Sequence, residues 1–198
     1  MGEWKQRKEY FINRLKRELK EGRVDIDILP LLESINELEN FYTTSSCSGR
    51  IQVYCAELPG DKFGLKTLVK WHRVITTDEL KEVLRKSDCK NIWLAVLPPI
   101  IHVIAKDVES ANLMLHIARD AGFKHSGILS VKPERIVIEI TGSERIELPI
   151  KLNNIQIVPE SALEDIVRAA NEMLKITKKK LSRLRRNTCR LKSLGQKD

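Results

Sequence analysis

Between Tyr42 and Arg50 the chain reads Tyr-Thr-Thr-Ser-Ser-Cys-Ser-Gly-Arg. Hydroxyls at that density, a glycine that frees backbone N–H groups and an arginine fork suit a polar ligand carrying carboxylate or phosphate. Ser45, Ser46 and Ser48 would donate hydroxyls, Gly49 would make the turn and Arg50 would grip the anion. A solvated turn has the same composition. Cys47 adds a thiol, but a surrounding of Ser and Thr suits ligand hydrogen bonding better than thiolate stabilisation. Two histidines on alternating segments are candidate proton acceptors. His72 follows Lys70 and Trp71, with Lys70 on its own face of a strand. His102 sits in Pro99-Ile100-Ile101-His102-Val103. Their plainer readings are an exposed strand histidine and a satisfied core histidine.

A third set of chemistry-bearing residues lies near the C-terminus. The net charge is +8, yet from Met1 to Glu172 there are 25 Lys and Arg against 26 Asp and Glu. The ten basic residues beyond Glu172 face a single acidic one. Lys178, Lys179, Lys180, Arg183, Arg185, Arg186 and Arg190 fall within about four helical turns. A phosphate backbone is the natural partner of such a segment, although a solubilising tail has the same charge. No Gly-x-Gly occurs anywhere in the chain, so neither the Rossmann turn nor the phosphate loop of NTPases is present.

The string Thr-Thr-Ser-Ser-Cys-Ser-Gly-Arg resembles that of the tRNA wybutosine-synthesising protein 3 family. Pro99-Ile100-Ile101-His102-Val103 resembles the family's Pro-x-Ile-Leu-His-Val segment, and Gly122-Phe123-Lys124-His125-Ser126-Gly127-Ile128 its Gly-Phe-Arg-Asn-Ser-Gly-Ile. His125 stands where the family carries Asn. The Lys-Trp-His spacing here also departs from the family's usual one. The resemblance runs from about Phe11 to Asn171. It implies an N-methyltransferase that uses S-adenosylmethionine and methylates N(4) of the 7-aminocarboxypropyl-demethylwyosine intermediate beside the anticodon of phenylalanine tRNA. It implies His72 and His102 as candidate catalytic groups. Ser45, Ser46, Cys47, Ser48, Gly49, Arg50, Lys70, Trp71, Ser126 and Gly127 become candidates for substrate or cofactor binding. The basic residues from Lys178 to Arg186 would then hold tRNA, and no metal is implied.

These groups need elements to position them. Phe11, Ile12, Leu15 and Leu19 recur at helical spacing, predicting a helix over about 4–21 stopped by Gly22. Asp25, Asp27 and Pro30 open a second helix ending near Glu39. The serine-cysteine run is expected as a turn, followed by a strand at Ile51–Cys55 and a loop at Leu58–Gly64. A strand is expected over Leu68–Ile75, with Val69, Trp71 and Ile75 inward. Thr76-Thr77-Asp78-Glu79 reads as a capping box. Asn91–Leu97 is a buried strand, Ile100–Lys106 another, and Val108–Ala118 a helix ended by Gly122. Ser126–Val131, Arg135–Ile140 and Arg145–Ile150 read as an antiparallel meander. Ser161 opens a last helix whose stripe Leu163, Val167, Ala170, Leu174, Leu181, Leu184, Leu191 continues into the basic segment, which would protrude. The fold class is α+β: a mixed or antiparallel sheet with flanking helices and a long basic C-terminal helix. One domain is expected over 1–172, with a helical extension over 173–198.

At 198 residues and 42% hydrophobic content the chain can bury a core. It has no apolar run of spanning length and no signal-peptide pattern, so the expected compartment is the cytoplasm. Cys47, Cys55, Cys89 and Cys189 form no Cys-x-x-Cys pair, and reduced thiols are expected. Two other classes fit the residues: a non-catalytic tRNA-binding module, and a hydrolase using Cys47 with His72 or His102. The oligomeric state is not encoded in any pattern found.

Overall fold

The computed structural model describes residues 2–61 and 64–194, without the side chains of 192–194. Lys62 and Phe63 of the expected loop, and residues 195–198 of the basic segment, lie outside the described residues. In chain order the elements are α1 (Glu3–Lys20), α2 (Leu29–Asn36), β1 (Phe41–Cys47), β2 (Arg50–Cys55), β3 (Lys66–Trp71), α3 (Thr77–Lys86), β4 (Ile92–Leu97) and β5 (Ile100–Ala105). Then follow α4 (Val108–Asp120), β6 (Gly127–Lys132), β7 (Arg135–Thr141), β8 (Ile146–Leu152), β9 (Ile155–Gln156), a 3-10 turn Glu160–Ala162 and α5 (Leu163–Leu194). Two antiparallel sheets flanked by helices, with a long C-terminal helix, make an α+β fold.

The chain divides into two compact units interleaved along the sequence. The first comprises residues 1–48, 99–143 and 178–198, the second 49–98 and 144–177. In the first unit the strands run β1-β5-β7-β6. Period-2 alternation sends Phe41, Ile101, Val103, Ala105, Ile136, Ile138 and Ile140 to one face, where α2, α4 and Leu181 and Leu184 of α5 complete the core. On the other face Trp4 and Phe11 of α1 pack on Tyr42, with ring centroids 5.1 and 5.3 Å apart. Gly22, with φ +68°, lets the chain turn after α1.

In the second unit the strands run β3-β2-β4-β8-β9. Ile51, Val53, Leu94, Val96 and Ile150 face Leu80 of α3 and Leu163, Val167, Ala170 and Leu174 of α5. The capping box at α3 is complete: the Glu79 backbone N–H donates to Thr76 Oγ1, and the Thr76 N–H donates to the Glu79 carboxylate. Asn171 ties α5 to the start of α3, accepting from the Ile75 N–H at 2.9 Å and donating to the Ile75 carbonyl at 2.8 Å.

Four sequence expectations change. The serine-cysteine run as far as Cys47 is a strand, because β5 offers it an antiparallel ladder from Phe41 to Cys47 with a single bulge at Thr44. The three-strand meander is broken: β6 and β7 form a hairpin, but β8 pairs with β4 in the other sheet. Cys55 and Cys89 are joined in a disulfide, their Cα atoms 6.0 Å apart, where reduced thiols were expected; neither sequence spacing nor alternation reveals a contact across 34 positions. The basic segment does not protrude, since Leu181 and Leu184 are buried in the first unit's core.

Candidate methyl-transfer site

The register of the first sheet produces a row of chemistry. Ser45 pairs with His102, His102 with Glu139, and Glu139 with Gly127, so one residue from each of β1, β5, β7 and β6 falls on a line across the sheet. A bulge in β1 sets that line. Tyr42 pairs with Ile104 and Thr43 with Val103, so an unbroken ladder would put Thr44 opposite His102. The extra residue shifts the register by one and brings Ser45 there instead.

The side chains of the row are joined. Ser45 Oγ lies 2.7 Å from His102 Nδ1, and His102 Nε2 lies 3.0 Å from Glu139 Oε2. An ionised carboxylate can only accept, so Nε2 carries the proton and Nδ1 is left as the acceptor of the Ser45 hydroxyl. His102 and Glu139 keep about 30% of their side-chain surface exposed, open enough to meet a substrate. Gly127 closes the row with no side chain; a Cβ there would meet nothing within 4 Å. Thus Ser45, His102 and Gly127, drawn from three distant segments of sequence, come together around a carboxylate that sequence reading did not find. β7 alternates Ile136, Ile138, Ile140 inward, which marks Glu139 as outward, but only strand pairing reveals His102 beside it.

Beside Ser45 a cavity of about 110 Å³ opens, lined by Thr44, Ser45 and Ser46 of β1, by Arg14 and Glu18 of α1, and by Arg23. Arg14 Nε donates to Glu18 Oε1 at 2.8 Å. The neighbouring Thr43 serves structure: Asn36 accepts its N–H at 2.7 Å and holds its hydroxyl.

Other expected site residues have different employment. Ser48 is fully buried; its N–H donates to Asp25 Oδ2 at 2.8 Å, and its carbonyl and hydroxyl accept from Lys178 Nζ at 2.9 and 2.7 Å. Lys178 also pairs with Asp27 at 2.5 Å, so this lysine staples α5 within the first unit rather than standing ready for phosphate. Ser126 is buried, its hydroxyl donating to the Phe123 carbonyl at 2.8 Å and accepting from the Thr141 N–H. Lys179, Arg183, Arg185 and Arg186 are exposed on α5, and Lys180 is half-buried against Gly122. Cys47 ends β1 half-buried.

Within the second unit, Arg50 Nε donates to Gln52 Oε1 at 2.8 Å, and Gln52 pairs across the sheet with Lys70. Arg50, Gln52 and Lys70 therefore share a face, with Gly49, at φ +82°, starting the strand. Tyr54, two residues along that face, donates to Glu147 at 2.6 Å; burial and that carboxylate push the phenol well above its usual range. Trp71 packs from the opposite face against the core, and His72 lies half-buried just past the end of β3.

Residues 6–189 match the family Methyltransferase TYW3. The chain belongs to this family. It is a methyltransferase, and its chemistry requires a methyl donor. A relative from Thermococcus kodakarensis, named tRNA(Phe) 7-((3-amino-3-carboxypropyl)-4-demethylwyosine(37)-N(4))-methyltransferase 1, is 42% identical over 181 residues, covering 90% of each chain. A protein of the same kind from Archaeoglobus fulgidus is 40% identical and covers 91% of each. Among solved structures, the PH1069 protein from Pyrococcus horikoshii matches with TM-score 0.89 at 38% identity, over 93% of this chain and 95% of its own. A hypothetical protein from Aeropyrum pernix matches with TM-score 0.76 at 32% identity, over 84% and 98%. The family implied by the serine-cysteine string and the α+β class read from the elements are those found. Among the described residues no helix is long and apolar enough to cross a membrane.

Proposed function

We propose that this protein transfers a methyl group from S-adenosylmethionine to N(4) of the 7-aminocarboxypropyl-demethylwyosine intermediate in phenylalanine tRNA, in the cytoplasm. The names of its relatives support the substrate, and the joined row Ser45, His102, Glu139 carries the chemistry.

S-adenosylmethionine supplies a methyl carbon already activated on a sulfonium, which leaves the protein to orient the nucleophile and accept its proton. The Ser45 hydroxyl stands between substrate and His102. As the ring nitrogen forms its bond to carbon and the carbon–sulfur bond breaks, Ser45 takes the N–H proton and passes its own to Nδ1. His102 becomes an imidazolium, and Glu139, already accepting from Nε2, stabilises the new positive charge, as the acidic member of a serine-histidine-acid triad does. A sulfonium donor would give up its positive charge with the methyl, which balances the proton then held on His102. His72 lies outside this hydrogen-bonded row and is a second candidate base.

Arg50, oriented by Gln52, is fitted to hold a carboxylate of the substrate or donor. The cavity beside Ser45, at about 110 Å³, is below the roughly 300–1,000 Å³ of sites that enclose whole ligands, so it suits one polar end of such a molecule. The exposed cations of α5 would meet the tRNA backbone through contacts independent of sequence.

Incubation with tRNA bearing the demethylated intermediate and methyl-labelled S-adenosylmethionine tests the proposal. Labelled nucleoside is the expected product. tRNA binding without transfer would instead point to a binding module, and label transfer abolished by Cys47→Ser would favour cysteine chemistry.

A further inference from the structure

The ternary complex proposed above contains the same chemical group twice. The relatives' substrate carries a 3-amino-3-carboxypropyl side chain, and the methionine part of S-adenosylmethionine is that very group attached to sulfur. Each head needs donors for its carboxylate, together with an acceptor for its ammonium.

The cavity at the end of the row has that composition. Among the described residues Arg14 is bonded through its Nε alone, to Glu18, which leaves its two terminal nitrogens for a ligand. Arg23 is tied through Nη2 alone, to Glu21. The hydroxyls of Thr44 and Ser46 bond to no other side chain or backbone group among the described residues, although both line the cavity. Glu18 contributes the only carboxylate of the lining, with one oxygen left over. Size and charge narrow the ligand. A cavity of about 110 Å³ takes an amino acid head and little more. Arg14 and Arg23 are balanced by Glu18 and Glu21, so the site carries no net charge, which suits a zwitterion better than a phosphate.

We propose that this cavity is a subsite for an α-amino-α-carboxylate head, with Arg14 and Arg23 on the carboxylate, Glu18 on the ammonium, and Thr44 and Ser46 as supporting hydroxyls. It rests on the methyl-transfer reading and deepens it. Ser45 of the row and its neighbours Thr44 and Ser46 all line the cavity, so head binding and proton acceptance are set by the same strand. The head comes from the donor or from the modified base, and the chemistry is shared.

Two pairs of ligands separate the sources. Calorimetry compares S-adenosylmethionine with 5′-methylthioadenosine, which lacks the head. Transfer kinetics compare tRNA carrying the aminocarboxypropyl group with tRNA carrying 4-demethylwyosine without it. Arg14→Gln and Thr44→Val, both at half-buried positions, should weaken the head-bearing member of one pair by ten- to a hundredfold and leave its head-free counterpart within twofold. Weakening confined to the calorimetric pair assigns the head to the donor; weakening confined to KM for the longer tRNA assigns it to the substrate. Equal effects on both members of a pair, or no effect on either pair, would overturn the subsite. A wild-type protein that binds but transfers no methyl fails the reaction instead; the calorimetric pair, with tRNA affinity measured in place of transfer kinetics, then still judges the cavity.

Discussion

Replacing Glu139 by glutamine keeps the side chain's length and its acceptor oxygen but removes its charge. The partner distance is 3.0 Å and both groups are about 30% exposed. At that separation, with an effective dielectric of about 40–80 for half-exposed groups, the lost attraction for an imidazolium is about 1.5–3 kcal/mol. Imidazolium forms only as the proton is taken, so this loss falls on the transition state and not on the bound substrate. Glu139→Gln should therefore slow single-turnover methyl transfer by about ten- to a hundredfold, with KM for tRNA and the thermal midpoint unchanged. His102→Ala should lose about 10²–10⁴-fold, and added imidazole should restore part of the rate. A Glu139→Gln protein that transfers methyl at the full rate would refute the relay. So would one whose loss lies wholly in KM.

Four further outcomes concern other parts of the molecule. Replacing both Cys55 and Cys89 by serine opens a loop spanning 34 positions and should cost about 4 kcal/mol by the chain-entropy relation, read as a thermal midpoint lower by about 8–16 °C; reductant should reproduce it on the wild type. Thr76→Ala removes the cap of α3 and should cost about 1 kcal/mol in chemical denaturation. Glu79 is held down to about 2 by its bonds to Arg73 and then to Thr76, so its contribution is intact above about 4.5, the ordinary carboxylate value, and is lost as pH falls through about 2; the difference between Glu79→Gln and wild type should shrink over that window. Arg183→Ala with Arg186→Ala should weaken tRNA binding and reduce its salt slope by about one for each phosphate that is no longer neutralised.

Much of this architecture is written in alternation and capping. The helical stripes of α1 and α5, the inward isoleucines of β7 and the Thr76 box are local patterns that the structure repeats. The failures share one cause, which is pairing over distance. Ser and Thr between 43 and 48 favour a turn locally, and only the ladder with β5 makes them a strand. The fate of Lys178 depends on Asp27 and Ser48, well over a hundred residues away in sequence. Removing everything after Leu174 would delete Leu181 and Leu184 from the first unit's core, about 1.5–3 kcal/mol for each buried leucine, so point substitutions are the cleaner probe of the basic face. Of the site, Ser45, His102 and Gly127 were legible as types in suggestive segments. Their meeting on one row, and Glu139 between them, required the register of four strands.

Locating the methyl group on the product nucleoside decides most. Digestion of the reacted tRNA and fragmentation of the modified base by mass spectrometry should show one added methyl, carried by the tricyclic ring. An unmodified base, or a methyl ester on the side-chain carboxylate, would contradict transfer to N(4).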